Sequence, residues 1–141
     1  MEYKRFATGI VVRLERGEEV VSKLKELADK ENIKLASLRA IGAVDEITLG
    51  WYDVENQEYR SKMLHGQWEI TSLMGSITTM QGEPYLHLHI TVSNESYQAM
   101  GGHLESARIS GSFEGIIWEH PGTVERVPDP ETGLNVLKLS D

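Results

Sequence analysis

The sequence predicts a single α+β domain in which one helix packs on a largely antiparallel sheet that curls or closes on itself. Its 141 residues suit one domain with its own core, and 40% of them are hydrophobic. One segment has apolar residues at helical spacing, whereas most later segments alternate polar and apolar residues as strands do. One helix followed by many short strands, separated by Gly and Pro, is typical of an antiparallel sheet with a helix on it.

The first part of the chain contains the predicted helix between two extended segments. A strand is predicted at residues 7–15, which carry a dense apolar stretch, and another at residues 34–44, which breaks at Gly42. The helix falls within residues 16–33, where acidic residues near the start suit the positive end of the helix dipole. Its apolar face is formed by Val20, Leu24, Leu27 and Ala28.

The rest of the chain predicts strands, because it alternates or is rich in β-branched and aromatic residues. These strands lie at residues 45–53, 58–64, 67–78, 86–93 and 135–139, with two more on either side of Ser110–Gly111. Gly75 interrupts one strand and indicates a bulge or the close approach of another backbone. Residues 94–102 are predicted to form a loop or a short helical turn.

The charge of the chain disfavours direct binding to DNA. The chain has 14 Lys and Arg residues against 22 Asp and Glu residues, for a formal net charge of −8. Proteins that bind the phosphate backbone use clustered cations, and no run of three basic residues occurs here. We therefore expect a protein or a small molecule as the partner.

The chain contains no cysteine, which excludes disulfides, thiolate metal sites and cysteine nucleophiles. No stretch reaches the roughly 18 apolar residues of a membrane span, and the first residues lack the pattern of a secretory signal. We expect a soluble, cytoplasmic protein.

Three of the five histidines lie in two neighbouring pieces, LHLHITVS and GGHLE. Alternate residues of a strand point the same way, so His87 and His89 share one face, while Leu86, Leu88 and Ile90 share the other. Two imidazoles on one face can chelate a divalent ion. The same pattern also fits ordinary half-buried strand residues.

His103 is the natural third ligand, because Gly101–Gly102 permit a sharp turn that would bring it back toward the pair. Three neutral histidines without a thiol favour Zn²⁺, Ni²⁺, Cu²⁺ or Fe²⁺ over Mg²⁺ or Ca²⁺, and they leave a coordination position open. Zinc is the preferred candidate. Glu105 would share the face of His103 and could be a further ligand, a partner of a ligand or a general base.

Five motifs taken together resemble the plants-and-prokaryotes conserved (PPC) domain in its stand-alone prokaryotic form. They are IGAVDEITLGWYD, GQWEITSLMGSIT, PYLHLHITVS, GGHL and DPETGLNVL, and the resemblance runs from about Tyr3 to Leu139. It implies one PPC-like domain over residues 1–141, with an α+β fold, a mixed, largely antiparallel sheet carrying one helix, and assembly as a homotrimer. His87, His89 and His103 match histidine positions of prokaryotic members, some of which are similar to metal-containing proteins.

In plant proteins, the domain follows an AT-hook, an Arg-Gly-Arg-Pro element that enters the minor groove of A·T-rich DNA. This sequence contains no such element. The plant segment Gly-Arg-Phe-Glu-Ile-Leu, tied to contacts with partner proteins, appears here as Gly-Gln-Trp-Glu-Ile-Thr at residues 66–71. The resemblance implies partner contacts, with glutamine in place of the arginine, at Gln67, Trp68, Glu69 and Ile70.

The sequence supports three hypotheses. The first is a homotrimeric, metal-binding PPC module that binds a partner or a small ligand and acts in regulation. The second is a metal-dependent, hydrolase-like enzyme that uses metal-activated water, with Glu105 or Glu114 as the base, although no second group of residues that would bind a substrate is visible. The third is a DNA-associated protein, which the charge and the absent hook disfavour.

Overall fold

The structure, a computed structural model, describes residues 1–140. Within that range it contains one α-helix and eight strands. No helix there combines the length and the apolar character that crossing a membrane requires. The elements are β1 (Glu2–Phe6), β2 (Gly9–Leu14), α1 (Val20–Lys30), β3 (Ala36–Asp53), β4 (Glu58–Met80), β5 (Glu83–Ser93), β6 (Ala99–Glu119), β7 (Arg126–Pro128) and β8 (Asn135–Leu137).

Six strands form one sheet in the order β1-β2-β6-β3-β4-β5, and β7 and β8 form a separate hairpin. The long strand β6 reaches across the large sheet, because its residues 103–119 pair with β3 while its residues 99–103 pair with β5. The sheet therefore curls and closes into a ring of β3, β4, β5 and β6. In residues 1–140 every ladder between these strands is antiparallel. The sequence predicts a mixed sheet, and the one parallel pairing in this range is the isolated bridge between Thr79 and Glu125.

The curled antiparallel sheet and its helix confirm the predicted α+β class, but the strands are longer than predicted. Residues 36–53 form one strand, and the break expected at Gly42 is a shift in the register between β3 and β4. The two strands expected around Ser110–Gly111 are likewise one strand, β6, with a register shift against β3. A β-bulge adds a residue to a strand without ending it. The glycines at these positions therefore mark register shifts rather than strand boundaries. Strand β1, mostly exposed and charged, was not predicted.

Helix α1 begins after Glu19, whose carboxylate accepts hydrogen bonds from the amides of Val21 (2.9 Å) and Ser22 (2.7 Å). These bonds satisfy amides that have no partner within the helix. The helix packs against β5 and β6, and the four apolar residues predicted for its inner face are all buried. Burial of a leucine side chain contributes about 1.5–3 kcal/mol, so this face holds the helix on the sheet.

Candidate metal centre

The structure brings the three predicted histidines together on two neighbouring strands. His87 and His89 lie on β5, and strand pairing places His89 directly opposite His103 on β6. The Nε2 atoms of His87 and His89 are 3.3 Å apart, and one ligand atom from each of the three residues lies within 4.8 Å of the others. Within residues 1–140, this is the one group of histidine or carboxylate side chains with metal-ligand spacing.

The donor set fits a divalent transition metal. Two nitrogens bound tetrahedrally at about 2.0–2.1 Å from zinc lie roughly 3.3–3.4 Å apart, which matches the separation of the His87 and His89 Nε2 atoms. The three rings are also mutually close, with centroids 5.1, 5.3 and 5.7 Å apart. The side chains therefore need little rearrangement to share one ion.

The surroundings keep two of the histidines neutral. Burial, followed by the charge of Arg126 and the two neighbouring histidines, lowers the pKa of His87 to about 4. Burial and the neighbouring His89 also lower the pKa of His103, while Glu105 acts in the opposite direction. Neutral imidazole is the form that binds a metal ion, so His87 and His103 are ready to bind at neutral pH.

His103 reaches the cluster by strand pairing, and the predicted sharp turn at Gly101–Gly102 is wrong. Both glycines are extended residues of β6, and they pair with β5. A Cβ at Gly101 would collide with the carbonyl oxygen of Ile90, and a Cβ at Gly102 would lie 2.8 Å from the carbonyl oxygen of Gly50. The glycines therefore serve close approach of three backbones rather than a reversal of the chain.

Gly75 confirms the predicted close approach of another backbone. It lies on β4 opposite Leu88, without a register shift, and an added Cβ would collide with the carbonyl oxygen of His87. The absence of a side chain here lets β4 lie directly against the histidine-bearing part of β5.

Glu105 lies beside the cluster, held by a serine hydroxyl. Its carboxylate accepts a hydrogen bond from the Ser61 hydroxyl, and the phenol of Tyr59 lies near it. The Tyr59 ring stands edge-on to His103, with centroids 6.1 Å apart. Burial and the neighbouring Glu105 carboxylate raise the pKa of Tyr59 to about 12, so this phenol stays protonated at neutral pH. Tyr59 fits here because Gly50 has no Cβ, which would collide with its hydroxyl.

Arg126 is a neighbour of the cluster that sequence reasoning missed. Only 7% of it is exposed, and its Nη2 lies 3.5 Å from Nδ1 of His87. Its Nε donates to the Thr78 hydroxyl (2.9 Å), its Nη1 donates to the Asn135 carbonyl (2.7 Å), and its guanidinium lies 4.9 Å from the centre of the Tyr85 ring. Nothing in the local sequence around Arg126 distinguishes it from a surface arginine, since the contact spans 39 positions.

Glu114, the alternative base predicted from the sequence, lies away from the histidines along the sheet. It is exposed and lies opposite Arg13 of β2 and Ile41 of β3.

The predicted partner segment lies on β4. Gln67 and Glu69 are exposed, Trp68 is partly buried, and Ile70 is 3% exposed within the core. The indole nitrogen of Trp68 donates a weak hydrogen bond to the His65 carbonyl (3.4 Å). Gln67 and Glu69 are therefore the members of this segment that another molecule can reach directly.

A curled antiparallel sheet, one helix and three clustered histidines define a small α+β domain with a candidate metal centre. The family model of the Plants and Prokaryotes Conserved (PCC) domain matches residues 1–121. The chain belongs to this family, which confirms the resemblance drawn from its motifs, and PPC denotes the same family here.

Two solved structures share the fold over nearly the whole chain. A "putative DNA binding protein" from Bacteroides thetaiotaomicron is 33% identical, with a TM-score of 0.95 over 97% of this chain and 96% of that one. A metal-containing protein from Archaeoglobus fulgidus is 31% identical, with a TM-score of 0.86 over 98% of this chain and 99% of that one.

A curated relative is much longer than this chain. The bifunctional protein GlmU of Synechococcus sp. (strain JA-2-3B'a(2-13)) is 30% identical over an alignment of 131 residues that covers 91% of this chain. The match covers 20% of GlmU, so this chain spans about a fifth of the length of that relative.

Proposed function

We propose that this chain is a metal-binding PPC module in which His87, His89 and His103 hold one divalent transition-metal ion, with zinc as the first candidate. The observation that carries the proposal is the spacing of the ring nitrogens, 3.3 Å between two Nε2 atoms and within 4.8 Å for all three ligand atoms. The neutral state of His87 and His103 supports it. So does the metal-containing relative from Archaeoglobus fulgidus.

The module acts by binding a small ligand or a protein partner, in a regulatory role. Three histidines leave a coordination position open on a tetrahedral ion. His89 is exposed, so the cluster is accessible from solvent. Gln67, Trp68 and Glu69 on β4, with Ile70 anchored behind them, are the proposed contacts with a protein partner.

The module assembles as a homotrimer in this proposal. Three apolar side chains on the outer side of the sheet line one groove: Val11, Ile41 and Met74 are 43%, 51% and 62% exposed. Grouped exposed apolar side chains are typical of a face that another subunit covers. This surface supports an assembly but does not by itself distinguish a trimer from other symmetric forms.

Elemental analysis of the purified protein together with its native mass tests both parts of the proposal. We expect about one ion per chain in a particle of three chains. His87→Ala is expected to lose the metal and to remain folded, whereas His65→Ala is the matched control, because His65 is exposed and lies outside the cluster. Unchanged metal content in a folded His87→Ala protein would show that the ligands are elsewhere.

A second candidate function is that of a metal-dependent hydrolase, and the position of Glu105 favours it. A divalent ion at the histidines would lower the pKa of a bound water. Glu105 lies beside His103 and accepts a hydrogen bond from Ser61, which supports a role for its carboxylate in accepting a proton near the cluster. If a hydrolytic activity is found, Glu105→Gln is expected to abolish most of it while metal content is kept, and undiminished turnover would rule out this role.

Association with DNA has weaker support. The Bacteroides thetaiotaomicron relative is called a "putative DNA binding protein", but this chain has a formal net charge of −8. Binding to a phosphate backbone would show a steep dependence on salt concentration. A gel-shift titration at low salt therefore tests this candidate, and we expect no shift.

A further inference from the structure

Arg126 carries a buried charge that no acidic group in the described part of the chain pairs with. Within residues 1–140, no carboxylate lies within ion-pair distance of its guanidinium, and its hydrogen bonds go to the neutral groups of Thr78, Asn135 and His87. The carboxylate of the adjacent Glu125 is engaged by the Thr79 hydroxyl and the Gly82 amide. A buried cation without a counterion is unfavourable, so this arrangement favours an anion from outside the chain.

The contact between Arg126 and His87 becomes a contact between two donors once the histidines hold a metal. The Nε2 atom of His87 faces Nε2 of His89, so Nε2 is the atom placed to bind the ion. A neutral imidazole that uses Nε2 as a ligand carries its proton on Nδ1. That Nδ1 lies 3.5 Å from Nη2 of Arg126, which can only donate.

Metal-binding histidines usually donate the second ring N–H to a carboxylate, a carbonyl or a water. In the described part of this chain, the neighbour of His87 Nδ1 is a guanidinium instead. The acidic group that acts on the cluster, Glu105, acts on His103, and its carboxylate already accepts a hydrogen bond from Ser61. In residues 1–140, the side chains around them therefore provide no acceptor for both His87 Nδ1–H and Arg126 Nη2–H.

We propose that Arg126 and His87 form an oxyanion subsite beside the three-histidine centre, which takes the carboxylate or phosphate group of a small molecule. The metal occupancy in this inference rests on the proposed function. One oxygen of such a group accepts from both donors, and guanidinium fits planar or tetrahedral oxyanions well. Thr78, Asn135 and the Tyr85 ring fix the guanidinium in place, which leaves Nη2 for the ligand.

The subsite couples the anion to the metal. With Nε2 of His87 bound to an ion, the His87 proton would lie on Nδ1 and face the anion, and the anion would offset the charges of the ion and of Arg126. Coupling between two binding sites is reciprocal, so the anion raises the affinity for the metal by the same factor as the metal raises the affinity for the anion.

Titration of the metal-free protein with Co²⁺, followed by visible absorption at constant ionic strength, measures this coupling. The probes are acetate and inorganic phosphate, with acetamide as the uncharged match for acetate. We expect acetate or phosphate to tighten Co²⁺ binding by at least about 5-fold relative to acetamide, the lower end of ordinary coupling between sites. A larger effect of phosphate assigns the subsite to phosphate groups, and a larger effect of acetate assigns it to carboxylates.

Arg126→Gln separates this subsite from direct binding of the anion to the ion. We expect the variant to bind Co²⁺ with the same stoichiometry and to lose the anion effect, and Arg126→Lys to recover only part of it. An anion effect of full size in Arg126→Gln overturns the inference, and so does equal Co²⁺ affinity of the wild type in all three solutes. If Arg126→Gln does not fold, Arg126→Lys takes its place, and an anion effect of full size in Arg126→Lys overturns the inference.

The outcomes for the two proposals differ. Wild-type protein that binds Co²⁺ without any anion effect retains the metal site and loses the subsite. Wild-type protein that binds no Co²⁺ at all overturns the metal site and, with it, the subsite.

Discussion

The two faces of β5 differ in what holds them in place. Leu88 and Ile90 on one face are 1% and 2% exposed, and they belong to a core formed by every strand of the ring and by α1. His87 and His89 on the other face meet a single residue of β6, His103, in the cluster. The apolar face is thus secured by many contacts, whereas the three-histidine cluster is completed by the pairing of β5 with β6. The difference separates stability from metal binding, and substitutions on either face should show it.

The largest effect is expected from Leu88→Ala on the apolar face. Truncation of a fully buried leucine leaves a cavity and costs about 2–5 kcal/mol. His89→Ala, one position along on the opposite face, is the matched comparison and should change the stability of the metal-free protein by no more than about 0.5 kcal/mol. Chemical denaturation of both metal-free variants measures the difference. Equal losses of stability would show that the two faces are not distinct.

The second-largest effect on stability is expected from removal of the metal. We start from protein in which the concentration of free metal ion is roughly 100-fold above the dissociation constant. Chelation with EDTA should then lower the free energy of unfolding by about 2.7 kcal/mol. The metal stabilises because it binds the folded chain, in which the three histidines are together. His87→Ala should show no response to EDTA in the same thermal melts. A response of the same size in that variant would place the stabilising ion outside the histidine face.

Gly75→Ala should disturb both faces at once. The new Cβ collides with the carbonyl oxygen of His87 and presses on Leu88, so we expect a loss of about 1–3 kcal/mol together with weaker Co²⁺ binding. Gly111→Ala is the control, because a Cβ there would contact only the Cβ of Ala43, at 3.3 Å. Denaturation and metal titration of the two variants give the comparison. Normal Co²⁺ affinity in a destabilised Gly75→Ala protein would show that the histidines do not depend on the spacing of β4 and β5.

The smallest effect is expected from Tyr59→Phe at the rim of the histidine face. It removes the phenol hydroxyl near Glu105 from a side chain that is 47% exposed, so the free energy of unfolding should fall by no more than about 0.5 kcal/mol. The metal content should stay the same, because the edge-on ring contact with His103 remains possible. Loss of the metal in this variant would make the Tyr59 hydroxyl part of the centre rather than of its rim.

Local pattern was enough to predict part of the site. The alternation in LHLHITVS placed His87 and His89 on one face and Leu88 and Ile90 on the other, since the two-residue period of a strand is independent of what the strand pairs with. His103 was predicted as the third member of the cluster, but through a sharp turn at Gly101–Gly102 that the structure does not contain. Gly101–Gly102 allow a turn or a close approach of strands, and the choice depends on the strands that lie beside them.

The sequence by itself determined the helix, its buried face, the largely antiparallel sheet and the sharing of one face by two histidines. These features depend on residues a few positions apart, and period and propensity describe them directly. The tertiary structure decided the closure of the sheet through β6, the meeting of His89 with His103, and the position of Arg126 against His87. Those contacts join segments far apart in the chain, where the outcome depends on which backbones pair, and no local pattern carries that information.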